Sequence, residues 1–261
     1  MQNSEPRPPA LAARLYSVWY RHMRVYTRNL ISNGLPPFLE PVIFLLGVGL
    51  GLGRYIASMD GVRYIVFLAT ALPVTSAMFT AAYECTFATF VRLEFQKAYD
   101  GMIAAPVTLS DLFLGELLWA GTKGLFFSAC VVSVMAAFGA IALPMGLVAV
   151  PVGFLTGCMF GALSLLVTSF VTNINHFNFY FTGFLSPMFF FSGTIFPLDS
   201  LPRGLRPFAE ILPLTHAVRL ARDFALSRFS GVLLADLAFL LIVTAVATYA
   251  AIRRLRRRIV V

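Results

Sequence analysis

Apolar residues in this chain come in six runs, each about 17 to 25 residues long, at about 36–55, 62–84, 112–138, 146–170, 176–196 and 231–252. About 20 apolar residues of helix cover a hydrocarbon layer of roughly 30 Å. Within lipid, each backbone N–H and C=O must find its partner inside the same segment, so such runs span as helices. The pattern predicts an all-α membrane protein with six transmembrane helices. Ahead of the first run, residues 10–33 set Leu11, Leu15, Val18 and Met23 among Arg14, Arg21, Arg24 and Arg28, with Tyr16, Trp19 and Tyr20 interleaved. Basic and aromatic residues at helical spacing suit a helix lying in the headgroup plane. Residues 1–9 are polar and proline-rich, which predicts disorder, and they lack the apolar core and small-residue site of a cleavable signal peptide.

Charge sets the orientation. Arg14, Arg21, Arg24 and Arg28 precede the first run, and Arg253, Arg254, Arg256, Arg257 and Arg258 follow the last. Basic residues flanking spans stay inside, so both termini are expected on the cytoplasmic side. The organisation is then a tail and interfacial helix (1–33), a six-helix membrane domain (34–252) and a basic cytoplasmic tail (253–261). The net charge of +8 sits mainly at these ends, which fits anionic headgroups and topology signals rather than nucleic acid. Charged residues are only 12% of the chain against 59% hydrophobic, which leaves no soluble domain of any size. Within the spans, Glu40 and Glu84 fall near the ends, whereas Lys123 lies inside the third and is expected to snorkel.

Candidate chemistry is sparse. There is no HExxH and no GxSxG, and His22, His176 and His216 have no metal-ligand spacing. Gly121–Gly124 (GTKG) lacks the first glycine of a phosphate loop, because residue 117 is leucine, and no strand precedes it. Cys85, Cys130 and Cys158 lie in or beside apolar runs and read as packing residues. A chain that binds no nucleotide, metal or other cofactor is expected, and not an enzyme.

Two long connections carry the most distinctive residues. The one between the second and third spans contains AAPVTLSDLFLGE (104–116), and the one between the fifth and sixth contains FSG (191–193), FP (196–197), LP (201–202) and PLTH (213–216). With LEP (39–41) opening the first span, these motifs resemble the permease subunits of type 2 ABC exporters, in particular their NodJ-like branch. The resemblance runs over nearly the whole chain. It implies an N-terminal interfacial helix, a cytoplasmic coupling helix at about 91–105 and short external re-entrant helices at about 197–230. It also implies two copies of a separate ATPase subunit, which bind ATP and Mg, and a second permease copy as partners in the bacterial inner membrane. The implied cargo is a lipid-linked or amphipathic saccharide; export of drugs or other lipophilic molecules, or a non-transporting scaffold, are the alternatives.

Residue expectations follow from both readings. Phe95, Tyr99 and Met102 project at helical spacing among Arg92, Glu94, Lys97 and Asp100, an aromatic anchor ringed by charge that could dock on an ATPase, with Arg21 and Arg24 contributing. Gly47 and Gly51 in the first span could form a dimer seam, whereas Gly153, Gly157 and Gly161 suit packing within the bundle. His176, Asn178, Tyr180 and Phe184 are the expected substrate path, with aromatic faces to stack on sugar rings. In the external connection, Pro197, Pro202 and Pro213 cut the chain into short helices, and Arg219 and Arg222 are expected on a solvated charged face.

Overall fold

The computed structural model describes residues 9–56, 58–103, 106–141, 143–228 and 231–259. The predicted disorder of residues 1–8 and the end of the expected coupling helix (104–105) lie outside them. Helix α1 (Leu11–Arg28) is followed by α2 (Ile31–Gly53), a two-residue-per-strand hairpin (Ser58–Met59 and Val62–Arg63), α3 (Tyr64–Phe95) and the short α4 (Ala98–Ile103). Then come α5 (Leu109–Ala137), α6 (Leu143–Phe170), α7 (177–191), α8 (Arg206–Ile211), α9 (Pro213–Ala225) and α10 (Leu233–Ile259).

Among the described residues, five helices are long and apolar enough to cross a membrane: α2, α3, α5, the 146–170 part of α6, and α10 to Arg258. The fifth expected span is shorter than read. The polar stretch around Asn173 and Asn175 forms a turn capped by the Asn173 side chain, and the helix stops at Phe191, where Ser192 and Gly193 (φ 75°) reverse the chain. Two other boundaries differ. Helix α3 does not end at Glu84 but runs 32 residues to Phe95, and the basic C-terminal segment is not a free tail, since α10 continues to Ile259. Arg258 holds that end in place by donating to the carbonyls of Thr168 and Val171 at 2.8 and 2.7 Å and to Glu94 Oε1 at 2.7 Å.

The core lies between α3, α5, α6, α9 and α10. The closest helix pair is α5 against α6, and glycine permits it. A Cβ on Gly157 would stand 2.8 Å from the Ala120 carbonyl oxygen, one on Gly124 2.5 Å from the Gly153 carbonyl oxygen, and one on Gly153 on top of Ser128. The fourth-span glycine row is thus used within the bundle, where small residues let backbones approach. In contrast, α2 packs loosely. Around Gly47 and Gly51 nothing approaches, and Ile43, Leu46 and Leu50 beside them are exposed.

Helix α1 lies across α5, with Val18 seated on Gly115, Trp19 Nε1 donating to Thr122 Oγ1 at 3.0 Å and Arg14 paired with Asp111 at 3.0 Å. Asp111 also closes a capping box with Thr108 that starts α5. Both termini therefore lie at one end of the bundle, beside α4. At the opposite end the Asp60–Gly61 turn, with φ positive at both residues, closes the hairpin, and Arg228 grips it through Asp60.

Candidate functional site: a buried charge cluster

At the end that carries the termini, four charged side chains from α3 and α5 meet inside the protein. Arg92 donates to Glu84 Oε1 at 2.7 Å and to Glu116 Oε1 at 3.2 Å. Lys123 reaches the other Glu84 oxygen at 2.9 Å, and Thr89 donates to Glu116 Oε2 at 2.9 Å. The Tyr99 hydroxyl, from α4, donates to Glu116 as well. Two carboxylates face two cations, so the cluster is neutral, and Glu116, Thr89 and Tyr99 are essentially inaccessible. Buried charges persist only when paired and hydrogen-bonded in this way.

Local structure makes the meeting possible. Two π-turns, Glu84–Ala88 and Val91–Phe95, widen α3 so that residues eight apart share one face. Glu116 and Lys123, seven apart, project from one side of α5 toward that face. Below Phe95 the chain breaks at Lys97, whose φ of 49° no helix can hold, and α4 follows as a separate piece. The coupling segment is thus not one amphipathic helix: its first part is the end of α3, and only 98–103 forms a helix of its own.

This redistributes the expected residues. Arg92 and Tyr99 point inward, and Met102 packs against the core. Glu94 is tied to Arg258. Phe95 stands 67% exposed and Lys97 is exposed beside it. Asp100 lies in α4, and its side chain is outside the described residues. Burial and the neighbouring Glu116 carboxylate raise the Tyr99 phenol well above its ordinary pKa, so it stays a proton donor. From α1, His22 comes within 3.7 Å of Glu116 and is held neutral, its pKa lowered to about 4 by burial. Lys123 does not snorkel, because Glu84 on the next helix is its partner.

Tyr180 is buried, shares a hydrogen bond of 3.1 Å with Ser164 and stacks on Phe184, while His176, Asn178 and Phe184 are exposed. At the far end, Arg222 is not on a solvated face. It donates to Thr70 Oγ1 (3.1 Å) and to the carbonyls of Phe67 (3.2 Å) and Gly193 (3.0 Å), and lies over the Phe67 ring. Arg219 pairs with Asp236 and Glu210, and His216 bridges Asp236 and the Glu210 carbonyl. Pro213 opens α9 at its first turn, with Pro197 and Pro202 flanking a 3₁₀ turn. These contacts bind the α8–α9 connection to α3 and α10.

Every carboxylate of the cluster is paired, and the cluster lies behind the loop that carries α4. Residues 13–226 match the model of the ABC-2 type transporter family. The chain belongs to that family. It is 35% identical over 251 residues to nodulation protein J of Sinorhizobium fredii strain NGR234, covering 96% of each chain, and 37% identical over 210 residues to nodulation protein J of Rhizobium leguminosarum bv. trifolii, covering 80% of each. The inner membrane transport permease YadH of Escherichia coli K12 is 22% identical over 204 residues, 78% of this chain and 79% of that one. As an ABC-2 permease the chain is a multi-pass transport subunit of the NodJ type, and ATP hydrolysis belongs to a separate ABC ATPase partner.

The expectation that Lys123 snorkels left the cluster without one of its cations. A signal was present: two carboxylates and two cations at matching depth in consecutive spans have to neutralise one another across the helix pair.

Proposed function

We propose that the chain exports a lipid-linked or amphipathic saccharide out across the bacterial inner membrane, with both termini cytoplasmic and α4 facing the ATPase. The observation that carries this reading is the buried cluster, which joins Tyr99 of the connecting loop directly to Glu116 of α5 and, through Arg92, to α3. A push on α4 is then delivered to two membrane helices at once. Exposed Phe95 and Lys97, with Asp100 in α4, form the docking edge, and Arg21 and Arg24 of α1 flank it. Two permeases meet along the open Gly47 and Gly51 face, with two ATPase subunits beneath. Tyr180 and Phe184, below the mouth formed by His176 and Asn178, present aromatic surface to sugar rings, and Arg219 steadies the exit end.

The test is ATPase activity of the complex co-purified in lipid. Phe95→Ala with Lys97→Glu is expected to abolish retention of the ATPase or at least its stimulation by extracted envelope glycolipids, while leaving the permease folded. Unchanged retention and stimulation in this variant would sink the docking assignment, and stimulation by lipophilic drugs alone would sink the saccharide.

A further inference from the structure

Above the charge cluster, between α1, α3 and α5, lies a cavity of about 580 Å3, within the range that small ligands occupy. Arg21, His22, Tyr26, Asn29, Asn33, Gln96 and Trp119 are among its walls, and Arg92, Glu84 and Lys123 form its floor. The floor is internally neutral, as the pairings above require. Arg21 adds one positive charge to the chamber and forms no hydrogen bond or ion pair among the described residues, although the Glu116 carboxylate acts on it at longer range. His22 is 4% exposed, and its Nε2 has no hydrogen-bond partner there either. The half-buried Arg21 guanidinium leaves room for an acceptor, whereas His22 Nε2 is shut off from the chamber and faces Glu116 Oε1 at 3.7 Å.

A second hollow of about 400 Å3 adjoins the first and shares Tyr26, Asn33, Tyr83 and Lys123 with it. Its remaining walls are mainly apolar, with Pro36 of α2, Phe79 of α3, Phe127 of α5 and Phe181 of α7. Ser32, Pro36 and Tyr83 among its lining are exposed, and the membrane helices α2, α3, α5 and α7 bound it. One polar chamber with excess positive charge therefore continues into one apolar groove between membrane helices. That is the shape and polarity of an anionic amphiphile, not of a soluble anion, which would have no use for the groove.

We propose that this double cavity binds an amphiphile with a phosphate-bearing headgroup, Arg21 contacting the phosphate while the chain lies along Phe79, Phe127 and Phe181. Making this amphiphile the cargo rests on the export reading, but its binding is tested without turnover. The chain has two tryptophans, Trp19 and Trp119, and Trp119 lines the chamber. The experiment uses the full-length Trp19→Phe chain in phosphatidylcholine vesicles and reads Trp119 fluorescence as phosphatidic acid with brominated acyl chains is added. The expected result is saturable quenching. Arg21→Gln shifts half-saturation by about tenfold or more, as loss of a charge-assisted contact does. Arg21→Lys restores most of it, and Arg28→Gln, exposed on the same helix, leaves it unchanged.

Brominated diacylglycerol quenching as saturably as the phosphatidic acid would overturn the proposal, because the phosphate would then be irrelevant. So would an Arg21→Gln curve matching the parent. Displacement by millimolar inorganic phosphate would mark a free-anion site and overturn the amphiphile. If binding holds while ATPase coupling fails, the export reading falls and the site stands; the reverse outcome separates them the other way.

Discussion

Arg92 is the side chain on which most others depend, since it touches both carboxylates of the cluster. Removing one partner of a buried pair leaves the other charge stranded, at a cost of about 3–5 kcal/mol. Arg92→Met is therefore expected to lower the unfolding free energy of the purified permease by that amount, and Glu116→Gln in the same background to recover part of it, because Glu84 keeps Lys123 while Glu116 loses its cation. A thermal or denaturant melt of the single and double variants checks this; an additive double variant would mean the two do not interact. His22 offers a second test. Its pKa is lowered from 6.5 to about 4 by burial, so as pH falls below 6.5 the unfolded chain takes up a proton that the folded chain refuses. The full stability is present above pH 6.5 and drains toward pH 4, by up to about 3 kcal/mol. Between pH 6.5 and 5 the His22→Phe chain is expected to show a flatter stability profile than the parent. Neither residue could be assigned from the sequence, because the charge of Arg92 reads as surface until the π-turns of α3 are known, and His22 sits in a helix whose basic residues read as a headgroup-facing row.

The helices themselves were legible wherever apolar length decided the matter, as in α2, α5 and α6. Where charge was taken as a boundary, it misled. Glu84 reads as the end of a span, yet the helix runs on to Phe95 because Arg92 and Lys123 neutralise that carboxylate within the bundle. The basic C-terminus reads as a tail, yet it is helical because Arg258 finds carbonyls and a carboxylate to hold. The α5–α6 contact was legible as a glycine row and is the place where a single methyl group matters. Gly153→Ala drives a carbon into Ser128 and is expected to cost about 1–3 kcal/mol by overpacking. Gly47→Ala, with nothing near it, is expected to leave the melting of the isolated permease unchanged. Equal effects of the two substitutions would contradict the packing described.

At the scale of the whole molecule the distribution of burial is uneven, and the proposed dimer seam follows from it. Only 22% of the most apolar window of α2 and 17% of that of α10 are buried, against 78% of that of α3, so the first and last spans are the barest among the described residues, and α2 is the one that carries the open Gly47 and Gly51 face. Gly47→Leu with Gly51→Leu is expected to shift the purified permease from dimer to monomer in light scattering, with helix content unchanged. A dimer that survives both leucines would move the seam elsewhere. The same unevenness has a mechanical side. Where Gly124, Gly153 and Gly157 bring the backbones of α5 and α6 together, little side-chain bulk is left between them to shear, and the pair resists bending as one beam. The charge cluster clamps α3 to that beam at one end, and Arg222 ties α3 to α9 at the other. Stiffness is thereby concentrated in the middle of the chain, and compliance in its first span. On the proposed coupling, load entering at α4 would meet a rigid lever, and its motion would be taken up at the loosely packed α2.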